Sequence, residues 1–161
     1  MYTSGGFYQF LDNIETQPTL DSNINIMTNQ YLKFIKEKTG LENVRLTQKT
    51  KDEIISDIGG LQMAELAFEN WLNNSNLENS KLSGLEAFNP FQLFYITHSL
   101  PWCSLRFNDS IFLQHTVQDP GHHPLYEFRV KGPLSNSEKF AQTWNCPAKS
   151  PMNPQEKCQF W

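Results

Sequence analysis

The stretch Thr50-Lys51-Asp52-Glu53-Ile54-Ile55-Ser56-Asp57-Ile58-Gly59-Gly60, which runs on through Leu61 to Leu72, decides the fold. From Glu53 onward the pattern predicts one long helix, because apolar residues recur at spacings of three and four and form a stripe along one face. The stripe consists of Leu61, Ala64, Phe68 and Trp71. We expect the rest of the chain to be organised around this central helix.

Two carboxylates, Glu53 and Asp57, lie four residues apart and therefore share one face of the helix. This spacing lets a helix present one carboxylate to a metal ion and a second to a neighbouring ligand of that ion. A structural interpretation competes with this one, because Thr50-x-x-Glu53 matches a capping box and acidic residues favour the first turn of a helix. The spacing alone favours capping over a metal role.

The composition indicates one folded domain or a piece of a larger one. The chain has 161 residues, of which 39% are hydrophobic and 13% aromatic, and this is enough to bury a core. The net charge is −4 and there is no basic stripe, which argues against nucleic acid as a partner. The sequence shows no apolar run long enough for a membrane span, and residues 1–20 show no signal peptide.

Two further helices are predicted on either side of the central one. Residues 26–38 place Tyr31, Phe34 and Ile35 on one side and lysines on the other, and Gly40 follows as a stop. The dipeptide Asn89-Pro90 opens a strongly apolar helix, with Asn89 as the N-cap. We expect the helix over 90–103 to pack antiparallel on the central helix. The predicted core at that contact consists of Phe68, Trp71, Phe94, Ile96 and Trp102.

The remaining chain predicts shorter elements. A short helix is expected near 109–115, a loop over 116–126, and a strand over 126–130, where apolar and polar residues alternate. A last helix over 135–144 would be capped by Ser135 or Ser137, and prolines then punctuate an extended tail. The fold class is therefore mainly α, with about four to five helices, one short strand region and an extended C-terminal tail.

The cysteines Cys103, Cys146 and Cys158 are odd in number. Four explanations remain open: reduced thiols inside a cell, one disulfide plus a free thiol, partner cysteines outside this chain, or a shortened chain. A bridge between Cys146 and Cys158 would contribute about 3 kcal/mol if the geometry allowed it. Two sequons, at Asn73 and Asn108, carry little weight in a chain this rich in Asn.

The tail from Ser150 to Trp161 resembles the C-terminus of the neprilysin and endothelin-converting-enzyme family of zinc metallopeptidases, which ends in Met-Asn-Pro-x-x-x-Cys-x-hydrophobic-Trp. Three more stretches resemble motifs of this family in the same order: 53–61, 91–106 and 128–137. The resemblance covers residues 46–161 and implies the mainly helical C-terminal part of a neprilysin-like peptidase domain. Residues 1–45 form a separate N-terminal segment, a loop plus one helix, with no counterpart in the resemblance.

The resemblance assigns roles to three residues. Glu53 matches the third zinc ligand of the family, and Asp57 matches the carboxylate that orients a His ligand. Arg129 matches the arginine that binds the substrate backbone. A structural ion pair of Arg129 with Glu127 or Asp57 is the alternative to that role. The family's zinc also needs the two histidines of His-Glu-x-x-His.

No His-Glu-x-x-His is present in the sequence, and all four histidines follow Glu53. Thr116 and Gln118 stand where the family has an Asp and the His that stabilises the transition state. Gln118 can donate a hydrogen bond but carries no positive charge. The adjacent pair His122-His123 is interpreted as an exposed loop pair, with a replacement histidine as the less favoured alternative. We therefore expect that this chain alone binds no zinc and is inactive, although the intact family hydrolyses peptides.

The resemblance also implies a context for the chain. In the family, the counterparts of the three cysteines pair with cysteines upstream, and the proteins act outside the cell or at its surface. Partners would be peptide substrates and the upstream part of the peptidase. Without that part, we expect the helix face bearing Ile54 and Ile58 to be exposed, so that the chain would be marginally stable and would associate. Partial cover of this face by residues 1–45 is the alternative. The alternative function is a non-catalytic pseudo-peptidase module that binds peptides or proteins.

Overall fold

The computed structural model describes residues 17–75, 82–103 and 123–160, and this part of the chain is mainly helical and contains no strand. The helices, in chain order, are α1 (Gln17–Thr39), α2 (Gln48–Asn74), α3 (Pro90–Ser99), α4 (Tyr126–Asn136) and α5 (Glu138–Thr143). A short 3-10 turn, Leu100–Trp102, follows α3. The mainly α fold class is confirmed. The helix predicted near 109–115 lies outside the described residues.

Helix α2 begins earlier than the capping-box pattern predicts. Thr47 is its N-cap, and the Thr47 side chain accepts a hydrogen bond from the backbone N–H of Thr50 at 3.2 Å. The predicted capping by Thr50 and Glu53 is therefore wrong, because the first turn is already closed by Thr47. Glu53 consequently lies inside the helix, and its carboxylate is available for contacts with other elements.

Helix α1 covers the first half of α2. Met27 and Tyr31 of α1 are buried against Ile54 and Ile58 of α2, which are both 0% exposed, and Phe128 completes this core cluster. The expectation that Ile54 and Ile58 form an exposed face is therefore wrong. The predicted helix over 26–38 is longer than its apolar pattern indicates, because the sequence before residue 26 is polar yet still helical.

Residues 126–130 form the start of α4, and the predicted strand is wrong. Their alternation of apolar and polar residues is only five residues long, whereas the buried positions Leu125, Phe128, Gly132 and Ser135 follow helical spacings of three and four. Gly132 and Ser135 are not counted as apolar, so a search for apolar residues at helical spacing does not detect this buried face. Ser135 lies inside α4, and Ser137 alone caps α5 by accepting a hydrogen bond from the Phe140 N–H at 2.9 Å.

Helix α3 begins as predicted, with Asn89 as its N-cap and a full capping box with Gln92. It packs on the second half of α2, where the Phe68 and Phe94 rings stack with centroids 4.9 Å apart. None of the five residues predicted for this core is fully buried, and Trp71 is 53% exposed. The buried residues of this region are instead Leu61, Tyr95 and Leu134, because α4 and α5 join the contact.

Candidate functional site

Asp57 of α2 and Arg129 of α4 form an ion pair with two parallel hydrogen bonds. The Arg129 Nε donates to one Asp57 carboxylate oxygen at 2.7 Å, and one Nη donates to the other at 2.6 Å. Both side chains are largely buried, with 14% exposure for Arg129 and 12% for Asp57. This bidentate geometry is specific to the planar guanidinium and fixes its orientation. Of the two partners considered for Arg129, Asp57 is therefore the observed one, whereas Glu127 pairs with Lys131 and Lys38.

Trp102 holds Arg129 from the other side. The guanidinium carbon lies 4.2 Å from the centroid of the Trp102 ring, which is the geometry of a cation–π contact. Trp102 reaches this place because Pro101 follows α3 and the chain continues in a 3-10 turn. Three elements, α2, α4 and the turn after α3, therefore fix one arginine.

Glu53 lies beside this pair, one helical turn before Asp57. One of its carboxylate oxygens is 3.6 Å from an Arg129 Nη and 3.0 Å from Nδ1 of His123. His123 is 59% exposed, as expected for a loop residue, and it approaches Glu53 because it stands just before α4. The sequence pattern gave no reason to pair His123 with Glu53, since seventy positions separate them. We call Glu53, Asp57, Arg129, Trp102 and His123 the α2–α4 cluster.

The electrostatics of the cluster depend on burial. Burial raises the pKa of Asp57, and the hydrogen bonds from Arg129 offset that rise only in part. The same hydrogen bonds raise the pKa of Arg129, which stays protonated. Because both side chains are largely buried, each charge depends on the other for its burial.

His98 of α3 is a further residue that sequence reasoning missed. Its Nε2 atom is buried and has no hydrogen-bond partner among the described residues. Burial lowers the pKa of His98, against a smaller opposing effect of Asp57. The neutral imidazole is therefore the stable form in the fold. Neither spacing nor composition signals this, because burial of His98 comes from tertiary packing.

The α2–α4 cluster does not contain a complete zinc site. Catalytic zinc takes three protein ligands, and within residues 17–75, 82–103 and 123–160 no group of three His, Cys, Asp or Glu side chains is arranged to hold a metal ion. Among the residues that the structure describes, one histidine, His123, lies near Glu53. The described side chains therefore do not fit catalytic zinc without further ligands. Thr116 and Gln118, the other predicted site residues, lie outside the described residues.

The cysteines are all free thiols: Cys103 is exposed, Cys146 is partly buried and Cys158 is fully buried. The bridge between Cys146 and Cys158 that the sequence left open is not formed. Burial raises the pKa of the Cys158 thiol to about 12. Cys158 is thus a core residue of the cluster that contains Met27 and Tyr31.

A large apolar groove lies elsewhere, between the second half of α2 and α3. Its volume is about 900 Å³, and its walls include Phe68, Trp71, Leu93 and Phe94. Neither Glu53 nor Arg129 lines it. The charged cluster and the groove are therefore two separate surface features.

No helix of the described segments is long and apolar enough to cross a bilayer.

Comparison with known proteins gives consistent matches. The sequence profile of Peptidase family M13 matches residues 12–160. Neprilysin-2 of Drosophila melanogaster is 33% identical over 147 residues, which are 91% of this chain and 18% of that protein. Human endothelin-converting enzyme 1 is 41% identical over 112 residues, which are 70% of this chain and 14% of that protein. Rat endothelin-converting enzyme-like 1 is 38% identical over 120 residues.

These matches extend the resemblance seen in the sequence. The profile begins at residue 12, so α1 belongs to the matched region, although residues 1–45 have no counterpart in the motifs quoted above. The division of the chain at residue 45 stays a prediction. The chain spans less than a fifth of the length of these relatives. On the profile match over almost its whole length, the chain belongs to Peptidase family M13, a family of metallopeptidases.

Proposed function

We propose that the α2–α4 cluster is one part of the active centre of a zinc-dependent endopeptidase. The observation that carries the proposal is the fixed arrangement of Glu53, Asp57 and Arg129. The sequence resemblance matches these three residues to positions of the family's motifs. In this proposal Glu53 supplies one zinc ligand, and Asp57 holds both Arg129 and a histidine that comes from outside these 161 residues. The zinc ion, when bound, would polarise the substrate carbonyl.

Arg129 would bind the substrate backbone. Its hydrogen bonds to Asp57 use Nε and one Nη, and the second Nη makes no hydrogen bond within the part of the chain that the structure describes. That Nη can donate to a peptide carbonyl, and Trp102 on the guanidinium face limits the rotation of the donor. The chain would therefore contribute orientation of the substrate, together with the one ligand Glu53.

We propose further that residues 1–161 alone do not hydrolyse peptides. The sequence contains no His-Glu-x-x-His, so two ligands and the general base of the family are not supplied by these residues. The upstream part of a longer peptidase would be the partner that supplies them. An extracellular or cell-surface location follows from the same proposal, and it rests on the family resemblance.

The test is a peptidase assay on the purified 161-residue chain with a fluorogenic peptide and added zinc, with human endothelin-converting enzyme 1 as the positive control. We expect the chain alone to show no chelator-sensitive cleavage of the peptide. A second assay adds a separately expressed upstream region of that enzyme, including its His-Glu-x-x-His helix. Chelator-sensitive cleavage by the chain alone would contradict the proposal, and so would restored cleavage that Glu53→Gln leaves unchanged.

A second candidate function is peptide binding without catalysis. The available Nη of Arg129 favours it, because this donor is held in place whether or not zinc is present. We expect fluorescence anisotropy to show weak binding of a labelled peptide that Arg129→Lys reduces, since lysine cannot keep both hydrogen bonds to Asp57 and a third donor in one plane. Equal binding by the wild-type chain and Arg129→Lys would remove this candidate.

A further inference from the structure

The segment 156–160 is held in the fold by side-chain amides. Asn23 and Gln30 come from α1, Gln62 from α2 and Asn136 from the end of α4. We call these four residues the amide clamp and residues 156–160 the tail segment. The tail segment is neither helix nor strand, so its backbone groups must find partners outside a regular ladder.

The amide clamp binds the backbone of the tail segment on two sides. Asn23 pairs with both the N–H and the C=O of Gln159. Gln62 donates to the C=O of Cys158 and accepts from the N–H of Phe160, each at 3.3 Å. In an extended chain, the N–H and C=O of one residue point to one side and those of its neighbours point to the other. The side-chain amides of Asn23 and Gln62 therefore match the alternating hydrogen-bond pattern of an extended peptide backbone.

Two more hydrogen bonds complete the clamp. Asn136, which is 1% exposed, accepts from the N–H of Cys158 at 2.8 Å. Gln30 donates to the C=O of Glu156 at 3.1 Å and pairs with the Asn136 amide. Because every hydrogen bond between the clamp and the tail segment goes to the backbone of that segment, none of these depends on its side chains.

Side-chain selection by packing is left to two positions. Cys158 is 0% exposed and belongs to the same core cluster as Tyr31 and Met27, so the space at this position accepts a small side chain only. Phe160 packs on the edge of that cluster. Lys157 contributes an ion pair with Glu138 at 3.1 Å. A small apolar residue followed two positions later by an aromatic residue is the pattern that these contacts select.

We propose that the amide clamp is a peptide-binding site, and that the tail segment is a tethered ligand that a free peptide of the same pattern can replace. The ligand class is an extended peptide with a small apolar residue at the position of Cys158 and an aromatic residue at that of Phe160. Recognition of main-chain groups with pockets for alternate side chains is a general mode of peptide binding. The proposal does not depend on zinc or on hydrolysis.

The experiment keeps every residue of the chain. A protease recognition sequence is inserted between Ala148 and Lys149, which are both exposed, and the purified protein is cleaved there. Exchange of the released segment is followed by fluorescence anisotropy with a labelled synthetic peptide of residues 149–161. We expect the labelled peptide to enter the cleaved protein and to be displaced by unlabelled peptide. Where cleavage lowers the helical circular dichroism signal, excess peptide should restore it.

Competing peptides test the recognition itself. Methylation of the Cys158 amide nitrogen should weaken competition about tenfold, because it removes one hydrogen bond and leaves the Asn136 acceptor buried. Cys158→Ala should compete like the parent peptide, and Cys158→Trp should not compete.

In the protein, Gln62→Ala should speed peptide release. Asn70→Ala changes an exposed amide on the same helix and should leave the release rate unchanged. The proposal would be overturned if the labelled peptide did not bind to the cleaved protein, whether that protein stays folded or is refolded with excess peptide. Equal competition by all peptides would also overturn it.

Discussion

Asp57 and Arg129 show how much one ion pair can depend on its surroundings. Burial alone disfavours both charges, and two short hydrogen bonds and the Trp102 ring offset part of the lost hydration. Removal of either partner leaves the other charge buried without compensation. The pair therefore connects α2 to α4 more strongly than an exposed ion pair of the same length would.

The first prediction concerns this pair. Asp57→Asn should lower the free energy of unfolding by about 3 kcal/mol, the lower end of the range for breaking a buried ion pair, because some exposure remains. Urea denaturation measures the loss. The matched control is Lys33→Gln, which breaks an exposed pair with Glu37 on α1 and should cost under about 0.5 kcal/mol. Similar losses in the two variants would mean that burial does not strengthen the Asp57 pair.

The second prediction follows from His98. Its pKa in the fold lies below its unfolded value, so the unfolded state takes up the proton first. Stability conferred by neutral His98 is therefore full well above pH 6.5 and decreases as the pH falls below about 6.5. His98→Gln removes this group. The difference in unfolding free energy between the wild-type chain and His98→Gln should decrease from pH 7.5 to pH 5. An equal difference at both pH values would contradict this account.

Single residues also mark the limit of prediction from the sequence. The pairing of Arg129 with Asp57 was one of two alternatives that charge and spacing offered, and the structure selects it. The contact of His123 with Glu53 and the burial of His98 depend on how separate helices meet. No local pattern encodes such contacts, so His98 was not predicted, and His123 was considered only as the less favoured replacement histidine. Thr50 was preferred as the N-cap because Glu53 completes a capping box, yet Thr47 caps the helix.

At the scale of elements, the predictions succeeded where the apolar pattern and the caps agree. Helix α3 combines an N-cap, a proline at its first position and an apolar run, and it begins where the sequence predicts. The prediction for α4 failed because the buried face of this helix contains Gly132 and Ser135, which are not counted as apolar residues in a hydrophobicity pattern. A face built for close helix contact contains small residues, so it can resemble a polar face in the sequence.

Gly132 gives the prediction for this scale. A Cβ atom there would overlap the hydroxyl and ring of Tyr31, which is 1% exposed and donates to the Phe128 carbonyl at 3.2 Å. Gly132→Ala should therefore destabilise the fold by about 1–3 kcal/mol, as overpacking does. Gly60→Ala is the matched control, since nothing lies within 4 Å of its Cβ position, and it should be neutral or stabilising by up to about 1 kcal/mol. Thermal unfolding of both variants measures this, and equal effects would contradict the close contact.

At the scale of the whole molecule, α1 is what distinguishes the structure from the one expected. The motifs predicted an exposed face on the central helix, with partial cover by residues 1–45 as the alternative, and α1 does cover Ile54 and Ile58 while the tail segment packs beside it. The covering residues Met27 and Tyr31 lie within the helix that the sequence predicts over 26–38. Helices α1, α2 and α4 therefore share a buried core around the first half of α2.

The rates at which the cysteines react with a thiol reagent test whether that core is closed. Cys158 is buried and its thiol pKa is raised to about 12, whereas Cys103 is exposed. A thiol reagent at pH 7.5 should modify Cys103 at once and Cys158 only when the core opens, because the thiolate is the reactive form and must be accessible. Mass spectrometry of peptides after timed labelling measures the two rates. Equal labelling of Cys103 and Cys158 in the folded chain would show that the tail segment does not close the core.

The central claim is that Glu53 contributes to a zinc centre only together with ligands from outside these 161 residues. Isothermal titration of the purified chain with zinc tests it most directly, with Glu53→Gln titrated in parallel. We predict affinity no tighter than that of a stray surface site and no change on Glu53→Gln, because one carboxylate and the one histidine found near it among the described residues fall short of three ligands. Submicromolar affinity that Glu53→Gln abolishes would contradict the account.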